Sequence, residues 1–309
     1  MSKIIRYFDS RLKTVHTWEE LNSSEGLLNL ILQILLVIYL TFMTDNGYLN
    51  IFMPFIIVPG ILFKRLRVNP FYWIVIFGFG ATFYLVLDLV GYVPNHKHIF
   101  AYAMLSVILS LFLAQGNYNF ALNFMKGQAK YIIGFCFLFA TIGKFLAPEF
   151  LNSSFFDFTN TTDPRFFGST SFIGDIDLNL LKENEANLSR LRQTNDLGLS
   201  YELKGADSIE GFGYFLTYWT ILIEGLIAIS FIIPQKFYLS RIRDIFLVTF
   251  ILTTYPIATV LGFATILALL GFIQSLKERP TVFSWFYLSV FLLLPLNYLP
   301  FNRVMSLLF

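Results

Sequence analysis

The chain has 309 residues, of which 56% are hydrophobic and only 14% charged, and its formal net charge is +2. A water-soluble domain is about 25% charged, so this composition, with a mean hydropathy of +0.65, excludes an ordinary soluble fold. The near-balanced charge gives no basic surface for nucleic acid. The apolar residues come in long unbroken runs, and in lipid every backbone N–H and C=O has to pair within its own segment, so such runs become helices. A transmembrane β-barrel would instead alternate over segments of roughly 10 residues, and that alternation is missing. The fold class expected is an all-α integral membrane protein, a bundle of eight or nine transmembrane helices with one long extracytoplasmic loop.

In chain order, residues 1–24 form the first element. Ile4, Ile5, Phe8, Leu12, Val15, Trp18 and Leu21 recur at helical spacing, with Lys3, Arg6, Arg11 and Lys13 between them. This pattern predicts an amphipathic helix lying on the membrane surface; a disordered tail is the alternative. No cleavable signal peptide is evident, because the first apolar run starts only near Gly26 and lacks a small-residue cleavage site. Residues 25–309 then form the transmembrane domain. Its apolar runs predict helices near 26–43, 47–63, 70–92, 98–115 and 130–147, then near 213–234, 244–256, 258–275 and 281–298. A span needs about 20 residues, so 244–275 is too long for one; Tyr255-Pro256 is the place for a kink or a break.

Between these groups, the polar segment 149–211 carries more than half of the chain's 20 acidic residues. It is read as an external loop or a folded cap, with Leu178 to Leu191 as a surface helix within it. Its Asn-x-Ser/Thr sequons at Asn152, Asn160 and Asn187 matter only in a cell that glycosylates. The basic links set the orientation: 64–68, 116–130, 235–243 and 276–280 carry Lys or Arg, whereas 44–49 carries none and 93–97 only Lys97. With 244–275 split in two, all basic links fall on the side of the N-terminus. That gives nine membrane segments, a cytoplasmic N-terminus, an external 149–211 and a C-terminus outside, in a membrane expected to be the bacterial inner membrane.

Ionisable groups at membrane depth cost about 2.5–3.5 kcal/mol and are functional candidates by default. Four positions stand out. Asp88 lies at the end of the third predicted helix, His96 just before the fourth, Lys144 one turn from the end of the fifth and Glu224 in the middle of the sixth. The topology puts Asp88, His96 and Lys144 at one level near the outer face. A lysine in an apolar pocket gives up its proton more readily, which suits it to act as a base. The structural alternatives are a Lys144 that snorkels to the interface, an Asp88 that caps a helix or neutralises Lys144, and a Glu224 that bonds a neighbouring helix. Cys136, the single cysteine, sits inside an apolar run and is expected to pack there. With only three histidines, two of them in VPNHKHIF and His16 far from both, no metal centre is expected. Neither a P-loop nor a nucleophile elbow is present.

Three stretches carry a resemblance to a known family. PNHKHIFAYAMLSVILSLFLA is similar to the Asn-His segment entering a long helix in the HTTM family, the membrane domain shared with vitamin K-dependent gamma-carboxylase. YIIGFCFLFATIGKFLAPEF looks like that family's lysine helix, and GYFLTYWTILIEGLIAISFIIPQ like its later helix with a central acid. Their order and spacing also match, so the resemblance spans roughly residues 5–298. It implies Lys144 as the base that starts oxygenation of a reduced quinone at the non-cytoplasmic face, His96 as the family histidine and Glu224 as the family acid. The chain departs from the pattern at Phe137, where the family has Tyr, at Thr141, where it has Gly, and at Ile251, where it has a second histidine. The large soluble domain that holds the peptide in true carboxylases has no counterpart in the sequence, so glutamate carboxylation is put in doubt. Short members also resemble the membrane component of sporulation-delaying toxin maturation systems. Two functions follow as expectations. One is a membrane enzyme using a lipid quinol to modify a peptide or small substrate at the outer face. The other is a non-catalytic maturation or assembly partner of another protein, bound to the bilayer and to a peptide or a partner subunit.

Overall fold

The computed structural model describes residues 23–42, 47–88, 95–194, 200–201, 203–205, 207–258, 260–277 and 280–294, with the backbone alone for 42, 47–50, 81–88, 95, 194 and 207–208. The surface helix expected in the first 24 residues, the 44–49 link apart from its first helical residues, and the 295–298 end of the last predicted helix lie outside these. Every regular element among the described residues is a helix. In chain order they are α1 (Ser24–Phe42), α2 (Gly47–Leu62), α3 (Lys64–Arg67), α4 (Pro70–Asp88), α5 (Asn95–Ala114), α6 (Tyr118–Leu146), α7 (Pro148–Leu151) and α8 (Ser154–Thr162). There follow α9 (Phe167–Gly174), α10 (Leu178–Thr194), α11 (Asp207–Ile232), α12 (Tyr238–Arg241), α13 (Arg243–Thr254), α14 (Leu261–Ser275) and α15 (Val282–Leu293). Four of them, α1, α5, α6 and α11, are long and apolar enough to cross a membrane, and α2, α4, α14 and α15 carry shorter apolar stretches. The chain divides into two compact units, residues 1–132 with 261–309, and residues 133–260.

In the first unit α1 and α14 are buried on nearly every face. Leu28, Ile31, Leu32, Leu35 and Leu36 of α1 are closed off, as is each residue of α14 from Ala264 to Ser275. Helices apolar all round belong inside a bundle or against lipid. The helices around them do show apolar exposure: Phe55 of α2, Phe71 and Val75 of α4, and Tyr102 and Leu113 of α5 are each more than half exposed. An apolar outer surface of this kind is what lipid contact requires. α14 and α15 approach closely at Gly271, where a Cβ would lie 2.8 Å from the Tyr287 ring. Thr281 and Ser284 form a capping box that starts α15, satisfying two of the orphan backbone donors.

Pro54 and Pro59 interrupt α2, and a proline removes a backbone hydrogen bond from the helix ladder. The end of this helix is secured from outside. The Arg67 guanidinium donates through one terminal nitrogen to the carbonyls of Gly60 (3.0 Å) and Ile61 (2.7 Å), and its Nε donates to Asn29 Oδ1 (3.4 Å). The Arg67 carbonyl in turn accepts from Trp73 Nε1 at 2.7 Å. One buried cation thus ties α1, the end of α2 and the start of α4 together.

α6 begins much earlier than its apolar run suggests. The link expected over 116–130 is a tight turn, with Gln115 and Gly116 at positive φ (46° and 91°), and Asn117 caps the helix by accepting from the Phe120 N–H. Lys126 and Lys130 therefore ride on a helix rather than on a loop. The polar residues hid an amphipathic pattern: Ala121, Leu122, Met125, Ala129 and Ile133 are all buried, at the period of one helix face. At 29 residues and 1.5 Å per residue, α6 is about 43 Å long, well beyond a hydrocarbon core of about 30 Å. The run 244–275 is indeed broken. α13 ends at Thr254 and α14 starts at Leu261, with the Ile257 and Ala258 N–H groups turning back onto the Thr254 carbonyl.

In the second unit the segment 149–211, expected as an external loop or a folded cap, is mostly helical among the described residues. α7 to α10 fold against the first turns of α11. Phe150, Phe156 and Phe166 cluster with Phe212 and Leu216, and Phe167, Ile176 and Leu181 cluster with Ile209. The predicted helix from Leu178 is present as α10. Asn184 at its middle exchanges two hydrogen bonds with the backbone of Lys204 (2.8 and 3.1 Å), pinning the approach to α11. The sequon asparagine Asn160 is wholly buried, so this fold cannot present it to a glycosyltransferase.

Asp157 sits on the inner side of α8, where a Cβ on Gly213 would collide with its Oδ1. Its Oδ2 accepts from Ser153 Oγ at 3.0 Å, while Oδ1 is buried with no hydrogen-bond partner among the described residues. Burial pushes this carboxyl above the usual carboxylate range; the Ser153 hydroxyl works against the shift and Glu210 adds to it. An acid raised in the folded state binds its proton more tightly there than in the unfolded chain. Folding is therefore favoured at low pH, and the advantage is lost as pH rises through the raised value. Asp157→Asn is expected to raise the thermal midpoint in detergent at pH 7, with a gain that shrinks toward pH 4. Thermal scans at the two pH values check this; a gain that grows on acidification would refute it.

Candidate functional site

Of the four ionisable positions singled out above, the structure brings two together. Lys144, in the last turn of α6, donates from Nζ to Glu224 Oε2 of α11 at 2.5 Å. The two side chains are 18% and 10% exposed, so the pair is largely closed off. Glu224 is expected at mid-membrane and Lys144 near the outer face; α11 starts at Asp207, six residues before its apolar run, and its first turns lie among α7, α8 and α9. Among the described residues the counter-ion of Lys144 is thus Glu224, one of the two acids the sequence offered beside Asp88.

Helix contacts around the pair hold it in place. The Phe150 ring of α7 lies 5.3 Å from the Lys144 ammonium, a cation–π distance, and the Phe150 carbonyl accepts from Thr217 Oγ1 of α11 at 3.3 Å. Below the pair, α6 and α11 come close at Gly134, whose Cβ would meet Ile232 at 2.9 Å and Phe231 at 3.1 Å; small residues are what permit such approach between membrane helices. Thr141 Oγ1 turns back to its own helix, donating to the Phe137 carbonyl at 2.8 Å. Phe137 is buried and meets Phe250 of α13 edge-on, with centroids 5.0 Å apart. Ile251 is buried as well. The three positions that depart from the family pattern thus serve packing. Trp219 of α11 donates to Thr253 Oγ1 of α13 at 3.1 Å, joining the third helix of this group.

His96 and Asp88 belong to the first unit. His96 lies in the first turn of α5, which starts at Asn95 rather than at residue 98. Its half-buried ring lies against Gly262 at the start of α14, where a Cβ would come within 2.7 Å of Nε2. Any side chain at 262 would push the imidazole away. Asp88 is the last residue of α4, and its side chain lies outside the described residues. Cys136 is a free, half-buried thiol on α6. Among the described residues no three His, Cys, Asp or Glu side chains are grouped to hold a metal ion.

Sequence reasoning missed Phe150, Thr217 and Gly134 as parts of this site. Phe150 stands at the end of the quoted lysine stretch, but nothing local marks it as a ring beneath the ammonium. No family model matches the chain, and no curated protein or solved structure matches it either. The resemblance therefore stands on the three quoted stretches alone.

Proposed function

We propose that this chain is a polytopic HTTM-like membrane protein that serves as a maturation or assembly partner of another protein, with Lys144–Glu224 locking α6 to α11. The observation that supports this reading is the ion pair itself. A base that takes a proton from a lipid quinol has to be a neutral amine, whereas a lysine in contact with a carboxylate, with an aromatic ring beneath it, has its positive charge provided for on two sides. The basic links support an N-terminus in the cytoplasm and the α7–α10 segment outside, in the inner membrane of a bacterium, with eight or nine crossings.

An enzymatic reading is favoured by one feature of the same pair. An amine and a carboxylate stand in direct contact in a largely closed site, and these are residue types that general acid–base chemistry uses. In that reading a reduced quinone is the co-substrate and Lys144 its base. Lys144→Arg separates the two. Arginine keeps the charge and cannot act as a base, so a lock predicts near-normal protein level and normal complementation of a deletion strain, while Lys144→Ala loses folded protein. Folded Lys144→Arg protein without complementation would overturn the partner reading and leave the enzyme.

A further inference from the structure

Independently of what Lys144 does, the second unit carries a half-open groove of about 300 Å³ between α8 with its following turn and α10. It is lined by charge of both signs. On the α8 side, the Arg165 guanidinium is clamped onto the Asp163 carboxylate, its Nε lying 3.0 Å from both oxygens. Burial alone would raise Asp163, but the Arg165 hydrogen bonds outweigh it and hold the carboxyl below its usual range. These two charges satisfy each other. On the α10 side they do not: Glu185 accepts only a 3.3 Å bond from Ser189, and Arg192, at the last turn, has no ion-pair partner among the described residues.

Glu185 and Arg192 are seven residues apart, two helical turns, so both side chains fall on one face, about 10 Å apart along the axis. Leu188 lies between them, and Phe158, 44% exposed, faces the groove from α8. Between the ends the lining mixes apolar and hydroxyl groups, Leu188 and Phe158 beside Thr159, Thr162 and Ser189, with a carboxylate at one end and a guanidinium at the other, neither in an ion pair among the described residues. A chain in the extended polyproline II form advances about 3.1 Å per residue with three residues per turn, so side chains three residues apart project from one side and cover the distance. The volume is at the lower end of ligand sites, enough for a few residues of peptide.

We infer that this groove binds a short extended peptide segment carrying a cationic and an anionic group about three residues apart, the cation at Glu185, the anion at Arg192 and an apolar side chain over Leu188 and Phe158. The test is calorimetric titration of the full-length chain in nonionic detergent with the acetylated, amidated tetrapeptide Lys-Leu-Ala-Glu. Saturable binding is expected, at least about tenfold tighter than that of Gln-Leu-Ala-Gln. The charges should be transferable: Glu185→Lys should move the preference to Glu-Leu-Ala-Glu, and Arg192→Glu to Lys-Leu-Ala-Lys. The exposed Lys182→Gln, outside the groove, should change nothing, and unchanged thermal midpoints would show that all three variants fold. Equal binding of charged and neutral peptides, no saturation at millimolar concentration, or selectivity unmoved in both groove variants would overturn the inference. So would tighter binding of glycerophosphoethanolamine, which would make the groove a lipid-headgroup site.

Discussion

Glu224→Leu is expected to destabilise the protein by about 3–5 kcal/mol, the cost of leaving one member of a buried ion pair without its partner. The side chains are among the least exposed charged groups described, and the ammonium that remains would keep only the Phe150 ring. The informative variant is the double one. Lys144→Met with Glu224→Leu replaces both charges by apolar groups of similar size, and such exchanges are often neutral or stabilising. A lock between α6 and α11 therefore predicts that the double variant recovers most of the loss, with a coupling energy of several kcal/mol between the sites. Thermal unfolding in detergent, followed by tryptophan fluorescence, measures this. If the double variant is as stable as the parent but fails to complement a deletion strain, the charges have a task beyond holding the helices. If Glu224→Leu alone costs under about 1 kcal/mol, the pair is neither buried nor structural and the site is misassigned.

Arg67→Ala should cost on the order of 3 kcal/mol. Hydrogen bonds to a charged group contribute about 1.5–3 kcal/mol each, and Arg67 makes its contacts to Gly60, Ile61 and Asn29 from a position that is 4% exposed. Removing it takes the donor from the Gly60 carbonyl and the Asn29 amide oxygen and leaves the Ile61 carbonyl only the 3.3 Å bond from Gln33 Nε2. Burial lowers the guanidinium to about 10, with Tyr72 acting the other way, so it is still charged at neutral pH. Arg67→Lys should recover less than half of the loss, because one ammonium cannot reach several acceptors in a fixed fork. The thermal midpoint and the yield of folded protein from membranes check both variants; an Arg67→Ala protein indistinguishable from the parent would show that water takes over the carbonyls.

The sequence alone determined that this is a helical protein of the membrane, roughly where its apolar helices lie, and that the run 244–275 had to break near Pro256. These are consequences of composition, run length and proline chemistry, which act within one turn or one segment of chain. It also singled out Lys144 and Glu224, because a charge in an apolar run is conspicuous wherever it occurs. Polarity misled it at the starts of α6 and α11, which carry enough Asn, Ser, Lys and acid to read as loop, although each buries one face. What only the tertiary structure decided was partnership. Lys144 and Glu224 are 80 residues apart in the chain, and their meeting depends on where α6 stops, how far α11 rises among α7, α8 and α9, and how closely Gly134 lets the helices approach. The reach of Arg67 to α1 and α2, the ring of Phe150 beneath the ammonium and the burial of Asn160 have the same origin. Each is a contact between segments whose own sequences contain no information about the other's position, so only packing could choose among the alternatives.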